Sequence, residues 1–132
     1  EYNATPPAPV HFLQIWILPD RRGLAPGYEQ RSFPAAEKLG RLRLVASRDG
    51  RDGSLVIHRD VDLYATIVGE GDRLSHDLFG GRRAWGQVAR GEASVNGLAL
   101  AAGDGLSVTD ARRIEMAGTA AGAELLVFDM AA

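Results

Sequence analysis

A chain of 132 residues with a formal net charge of −2 has room for one domain with its own core and offers no electrostatic footprint for nucleic acid. Hydrophobic residues make up 45% of it, yet no apolar run approaches the ~20 residues of a membrane-spanning helix, which excludes a helical span. The absence of cysteine removes disulfides, thiolate metal sites and thiol nucleophiles, and is compatible with a cytoplasmic location.

The chain opens at Glu1 without an initiator Met, a basic n-region or an apolar h-region, and the Pro-rich stretch Glu1 to Pro9 reads as the middle of a longer polypeptide. The first apolar run, Val10 to Leu18 (VHFLQIWIL), is hydrophobic on both pleat faces apart from His11 and Gln14. It is therefore expected as a strand covered on both sides, either within its own sheet or swapped into a second copy to give a homodimer. Pro19 to Phe33 (PDRRGLAPGYEQRSF) changes to Pro, Gly and charge, the signature of a surface connector. A domain boundary is expected there, with residues 1–33 as an N-terminal segment and 34–132 as a barrel. One helical turn is expected around Pro34 to Leu39.

Short runs rich in Val, Ile, Leu and aromatics follow: Arg41 to Ala46, Leu55 to His58, Asp62 to Val68, Arg73 to Leu78, Arg83 to Ala89, Glu92 to Val95, Leu98 to Leu100, Gly105 to Thr109, Arg113 to Ala117 and Glu124 to Met130. Punctuated by Gly and Pro, they predict an all-β sandwich or barrel with little helix. Asn96-Gly97 predicts a two-residue type I′ hairpin, because both central positions need positive φ. Further sharp turns are expected at Gly103-Asp104-Gly105 and from Gly118 to Gly122. The pairs Arg82-Arg83 and Arg112-Arg113 are too short for a basic stripe and read as solvated strand ends.

Trp85 to Thr109 (WGQVARGEASVNGLALAAGDGLSVT) runs strand, Gly-Glu turn, hairpin and Gly-Asp before the next strand, and so resembles the core of the cupin fold. The resemblance implies an all-β cupin, a double-stranded β-helix or jelly-roll barrel. The first cupin motif has the form G-x5-HxH-x4-E-x6-G. Gly71 and Gly91 match its framing glycines, and its metal ligands then fall on Asp77, Phe79 and Ala84. Starting the second motif, G-x5-PxG-x2-H-x3-N, at Gly103 puts Thr109, Ala111, Ile114 and Gly118 at its Pro, Gly, His and Asn positions. Phenyl, methyl and sec-butyl groups have no lone pair for a cation, so the frame is kept and the donors are lost. His76 lies one residue off the frame, a shift that turns a strand side chain to the opposite face, and is read as an ordinary hydrogen-bonded histidine.

Glu1-Tyr2-Asn3, then VHFLQIWILPDRRGLAPGYEQRSF, and later SRDGRDGSLVIHRDVDLYATIV, are similar to the pirin family, which includes proteins described as quercetin 2,3-dioxygenases. In that family a first cupin ends in a segment of the form HSEYN and a second barrel follows. The resemblance implies that this chain is the C-terminal cupin half of a two-cupin parent, with the tail of the first half in residues 1–33. Glu1 then corresponds to the carboxylate ligand of the first barrel's metal site, whose three His have no counterpart here. A divalent transition metal (iron, nickel, copper or manganese) is expected in an absent N-terminal cupin, and no cofactor in this chain. The implied role is a metal-free structural and interaction barrel that covers or positions a catalytic partner cupin acting on quercetin-like substrates, and turnover by this chain alone is not expected. The alternative is a binding module whose emptied cavity takes a small molecule or a transcription-factor partner.

Other patterns carry less. His58-Arg59-Asp60 echoes a kinase catalytic loop, but Ala65 stands where Asn is needed. Asp49 to Gly53 lacks the third donor and closing Glu of a calcium loop and reads as a tight turn. Asp60 and Asp62 share one strand face, read as solvent-facing, while Trp16, Tyr64, Trp85 and Phe128 are expected in the core.

Overall fold

The computed structural model describes residues 3–5 and 7–132. After a 3-10 turn at Ala35–Glu37 come β1 (Arg43–Ser47), a second 3-10 turn (Arg51–Gly53), β2 (Leu55–Val56), β3 (Val61–Val68), β4 (Arg73–Asp77), β5 (Arg83–Val95), β6 (Leu98–Ala101), β7 (Gly105–Val108) and β8 (Arg113–Met130). They form one sheet in the order β2-β1-β3-β8-β5-β6, with β4 added to β8 and β7 to β5. Among the named strands β1 and β2 pair in parallel and the other ladders are antiparallel, while Leu39 adds an isolated parallel bridge to Ile67. No helix among the described residues is long and apolar enough to cross a membrane.

Alternation explains which faces are buried. Leu74 points inward and Ser75 outward on β4, and the interior collects Val88, Ala93 and Val95 from β5 with Ile114, Met116, Leu125 and Val127 from β8. Each fully buried Val, Leu, Ile or Met contributes about 1.5–3 kcal/mol relative to exposure, so these two strands supply most of the core's apolar stabilisation. The Asn96-Gly97 hairpin closes as predicted: Val95 opposes Leu98, and both turn residues have positive φ, 47° and 79°.

The Gly91-Glu92 turn is absent, because Arg83–Val95 runs as one strand, and two further expectations need correction. Gly118 to Gly122 is not a turn, because residues 113–130 run as one strand. Along β8 the inward side chains switch from Ile114 and Met116 to Ala123, Leu125 and Val127, so the phase of the alternation slips within this stretch. The ladder to β5 slips with it, from Gly118 opposite Ala93 to Ala123 opposite Gly91. The glycines permit close approach: a Cβ on Gly91 would overlap the Gly122 carbonyl oxygen, and one on Gly118 the Gly69 carbonyl oxygen.

The second correction concerns Val10 to Leu18, which forms no strand; among the described residues its backbone joins no backbone hydrogen bond. The segment crosses the outer face of β3, β8 and β5, where those strands have already spent their amides and carbonyls on one another. Trp16, expected in the core, is 85% exposed. The connector is nonetheless tied down. The Asp20 amide donates to the His58 carbonyl at 2.7 Å and its carboxylate pairs with Arg48, Arg31 donates to the Gly53 carbonyl, and Glu29 accepts from the Val56 amide at 3.2 Å.

Candidate functional site

The frame-derived ligand positions scatter. Asp77 faces out from β4 and pairs with Arg113 at 3.4 Å, Phe79 is 73% exposed, and Ala84 and Ile114 are buried apolar groups. Thr109 and Ala111 are exposed, and Gly118 is a packing position. Glu1 lies outside the described residues.

What the barrel end holds instead is His76, on the strand face opposite Asp77. Because β4 buries alternate residues, the inward series is Leu74, His76 and Leu78, and the motif frame selected the wrong member of the pair. His76 Nε2 lies 2.7 Å from Asp129 Oδ2, and its ring stands 4.7 Å from the Tyr64 ring, tilted by 51°. Asp129 ends the inward series of β8, opposite Ala84 of β5 and Asp62 of β3. Arg82 closes the set: Nε donates to Asp129 Oδ1 at 2.6 Å, Nη2 to the Asp129 carbonyl at 3.2 Å, and Nη1 to Asp60 Oδ2 at 3.0 Å. Arg51 grips Asp62 beside Tyr64 with both Nη atoms, at 3.1 and 2.5 Å. Arg82 is thus no solvated strand end, and Asp60 and Asp62 are ion-pair partners instead of a bare solvent face.

The electrostatics follow from this packing. Burial pushes the Asp129 carboxyl up, but hydrogen bonds from His76 and Arg82 and the Arg82 charge outweigh it and hold the group below its ordinary value. The Arg82 hydrogen bond likewise lowers Asp60, and two carboxylates keep Arg82 firmly protonated. Burial, with the neighbouring Asp62 charge, raises the Tyr64 phenol.

A transition metal needs three or four convergent donors with free lone pairs. Here one imidazole meets a carboxylate whose second oxygen is occupied by a guanidinium, so a cation already stands where a metal would have to bind. Among the described residues no group of three His, Asp or Glu side chains is arranged to hold a metal ion, and no buried side-chain polar atom lacks a partner. The donor set does not fit a metal. Chemically, the network is an ion-paired cluster in which both carboxylate oxygens of Asp129 are taken.

The sequence did hold a signal for it. Asp129 sits at the parity of Leu125 and Val127, and a carboxylate on an inward row needs a buried partner.

The outer sheet face carries the second feature. Phe128, Trp85 and Leu126 line a cleft of about 410 Å³ with Leu13, Gln14 and Ile15. Phe128 and Trp85, expected inside the barrel, are therefore on its outside.

Comparison with known proteins agrees with this architecture. A family model described as the quercetinase C-terminal cupin domain matches residues 44–130. Quercetin 2,3-dioxygenase of Escherichia coli (strain K12) is 38% identical over 130 residues, covering 98% of this chain and 54% of the relative. A pirin-like protein of Caulobacter vibrioides is 30% identical over 132 residues, covering 99% of this chain and 56% of its own. The crystal structure of the bacterial pirin YhhW from Escherichia coli in complex with nickel(II) superposes with a TM-score of 0.80 at 35% identity, over 88% of this chain and 48% of that one. The chain spans about half the length of the curated relatives it matches.

Proposed function

Because the chain belongs to the family of quercetinase C-terminal cupin domains, we propose that it is the metal-free cupin of a two-cupin protein and acts by structure and contact beside a metal-bearing partner cupin. The observation that carries this reading is Arg82 on Asp129: the barrel end is neutralised by a side-chain cation and offers no open coordination position. The nickel complex of the Escherichia coli relative, of which this chain covers 48%, supports a metal elsewhere in such a protein. In this reading residues 34–132 are the barrel and 1–33 belong with the neighbouring cupin, to whose coordination set Glu1 would contribute. The parent would act on flavonol-like substrates in the cytoplasm.

Elemental analysis of the purified chain tests the proposal. We expect no stoichiometric iron, nickel, copper or manganese and no flavonol turnover; one metal ion per chain, or turnover by the chain alone, refutes it. A second reading, small-ligand binding, is favoured by the apolar cleft beneath Leu13 and Ile15, outside the barrel and not in its filled interior. Flavonoid-dependent melting shifts that vanish on Trp85→Ala would support it, and flat melts would remove it.

A further inference from the structure

Where the connector turns back onto the barrel it gathers charge. The chain bends over Asp20 to Gly23, with Gly23 at φ +76°, and a cleft of about 330 Å³ opens there between Asp20, Arg21, Leu24, Arg48 and His58. Its wall is anchored, because the Asp20 amide donates to the His58 carbonyl at 2.7 Å. One carboxylate serves two guanidiniums: Asp20 pairs with Arg48 and, at 3.9 Å, with Arg59, and both arginines stay half-exposed. Arg21 enters no ion pair among the described residues, and Asp60, next along the chain from Arg59, is already taken by Arg82 at 3.0 Å. Three guanidiniums therefore share one carboxylate, with N–H donors to spare.

A surplus of cation alone would be a solvated surface. Beside it, however, lies a second cleft of about 330 Å³ lined by Ile17, Pro19, Val56 and Ile57, and the two share Leu24 and His58. A charged end and an apolar end thus meet at one place. We propose that the paired clefts bind an organic monocarboxylate, its carboxylate between Arg21, Arg48 and the His58 imidazole and its apolar body over Leu24 against Ile17, Val56 and Ile57. The planar guanidinium fork matches a carboxylate's two oxygens, and Asp20 already shows Arg48 taking one. The Asp20 charge also sets the limit to a single negative charge, because a dianionic phosphate would feel its repulsion doubly. The site shares no residue with the cleft beneath Leu13 and Ile15 or with the His76 cluster, and it does not depend on the two-cupin reading.

Calorimetric titration of the full chain with acetate, butyrate, hexanoate and octanoate, at constant ionic strength, tests the site. Affinity should rise about two- to threefold per added methylene, because an open cleft covers each only in part. Octylammonium, with the same chain and the opposite charge, should bind at least about tenfold more weakly than octanoate, and so should inorganic phosphate. Arg21→Gln, at an exposed position, should keep the wild-type urea midpoint and weaken octanoate about tenfold. Leu24→Ser should flatten the chain-length series and leave acetate unchanged. In amide NMR spectra octanoate should shift Arg21, Leu24, Arg48 and His58 and leave Ser75 and Glu115 in place. Equal binding of octanoate and octylammonium makes the contact merely apolar, equal binding of octanoate and acetate makes it a surface-charge effect, and either overturns the proposal. So do shifts centred on Trp85 and Phe128, which place the ligand in the other cleft, undiminished binding by Arg21→Gln, and no saturation by about 10 mM octanoate.

Discussion

Replacing Arg82 by Met keeps most of the side chain's length and removes its charge. Asp129, whose side chain is 8% exposed, then loses the Oδ1 and main-chain hydrogen bonds and retains only His76. Removing one partner of a fully buried ion pair costs about 3–5 kcal/mol. Arg82 is 22% exposed and the Asp60 arm 46% exposed, so water recovers part of the loss and the Asp60 arm adds little. The expected cost is about 2–3 kcal/mol. With a urea m-value of roughly 2 kcal/mol/M, the unfolding midpoint should fall by about 1–1.5 M at unchanged m. Asp129→Asn in the same background removes the stranded charge, and the double-mutant cycle should return a coupling of about 1–2 kcal/mol. A midpoint shift below about 0.3 M, or strictly additive single mutants, would show that the pair is not a buried, mutually dependent unit.

Two other outcomes follow from the same structure. Gly91→Ala should cost at least about 3 kcal/mol, because its Cβ would overlap the Gly122 carbonyl at φ +77°; Gly97→Ala, with open space at φ +79°, should cost only about 1 kcal/mol, and equal midpoint losses in urea would contradict the distinction. The Asp129 carboxyl is held below its ordinary value, so the unfolded chain takes up its proton first. Its contribution is complete above a pH of about 4 and is lost as pH falls through the lowered native value. Asp129→Asn should flatten that acid limb of stability measured by urea unfolding, and an unchanged limb would assign it to other carboxylates.

The strands and the hairpin were legible because each apolar run obeys a period of two and Asn96-Gly97 admits only a narrow set of turns. What escaped was phase. A glycine-rich stretch between two oppositely phased runs, as from Gly118 to Gly122, reads as a reversal of the chain, although a bulged strand produces the same pattern. The same ambiguity placed His76 on the wrong face, since a motif frame counts residues while the pleat decides direction. Arg82 hid as one of two adjacent arginines, and only the tertiary position of Asp129, 47 residues later, reveals its role. Val10 to Leu18 was correctly read as apolar on both sides; its lack of a strand partner was not legible, because pairing depends on which sheet edges remain vacant.

Strand β8 borders β3, β4 and β5 at once, as the shared seam of three ladders. During synthesis, therefore, β1 can meet β3 and β5 can meet β6 and β7 early, but the ladders of β3 and β5 to β8 cannot be completed until the stretch reaching Met130 has cleared the ribosome. The last seam of the barrel is thus a long-range closure, of the kind that folds in milliseconds to seconds.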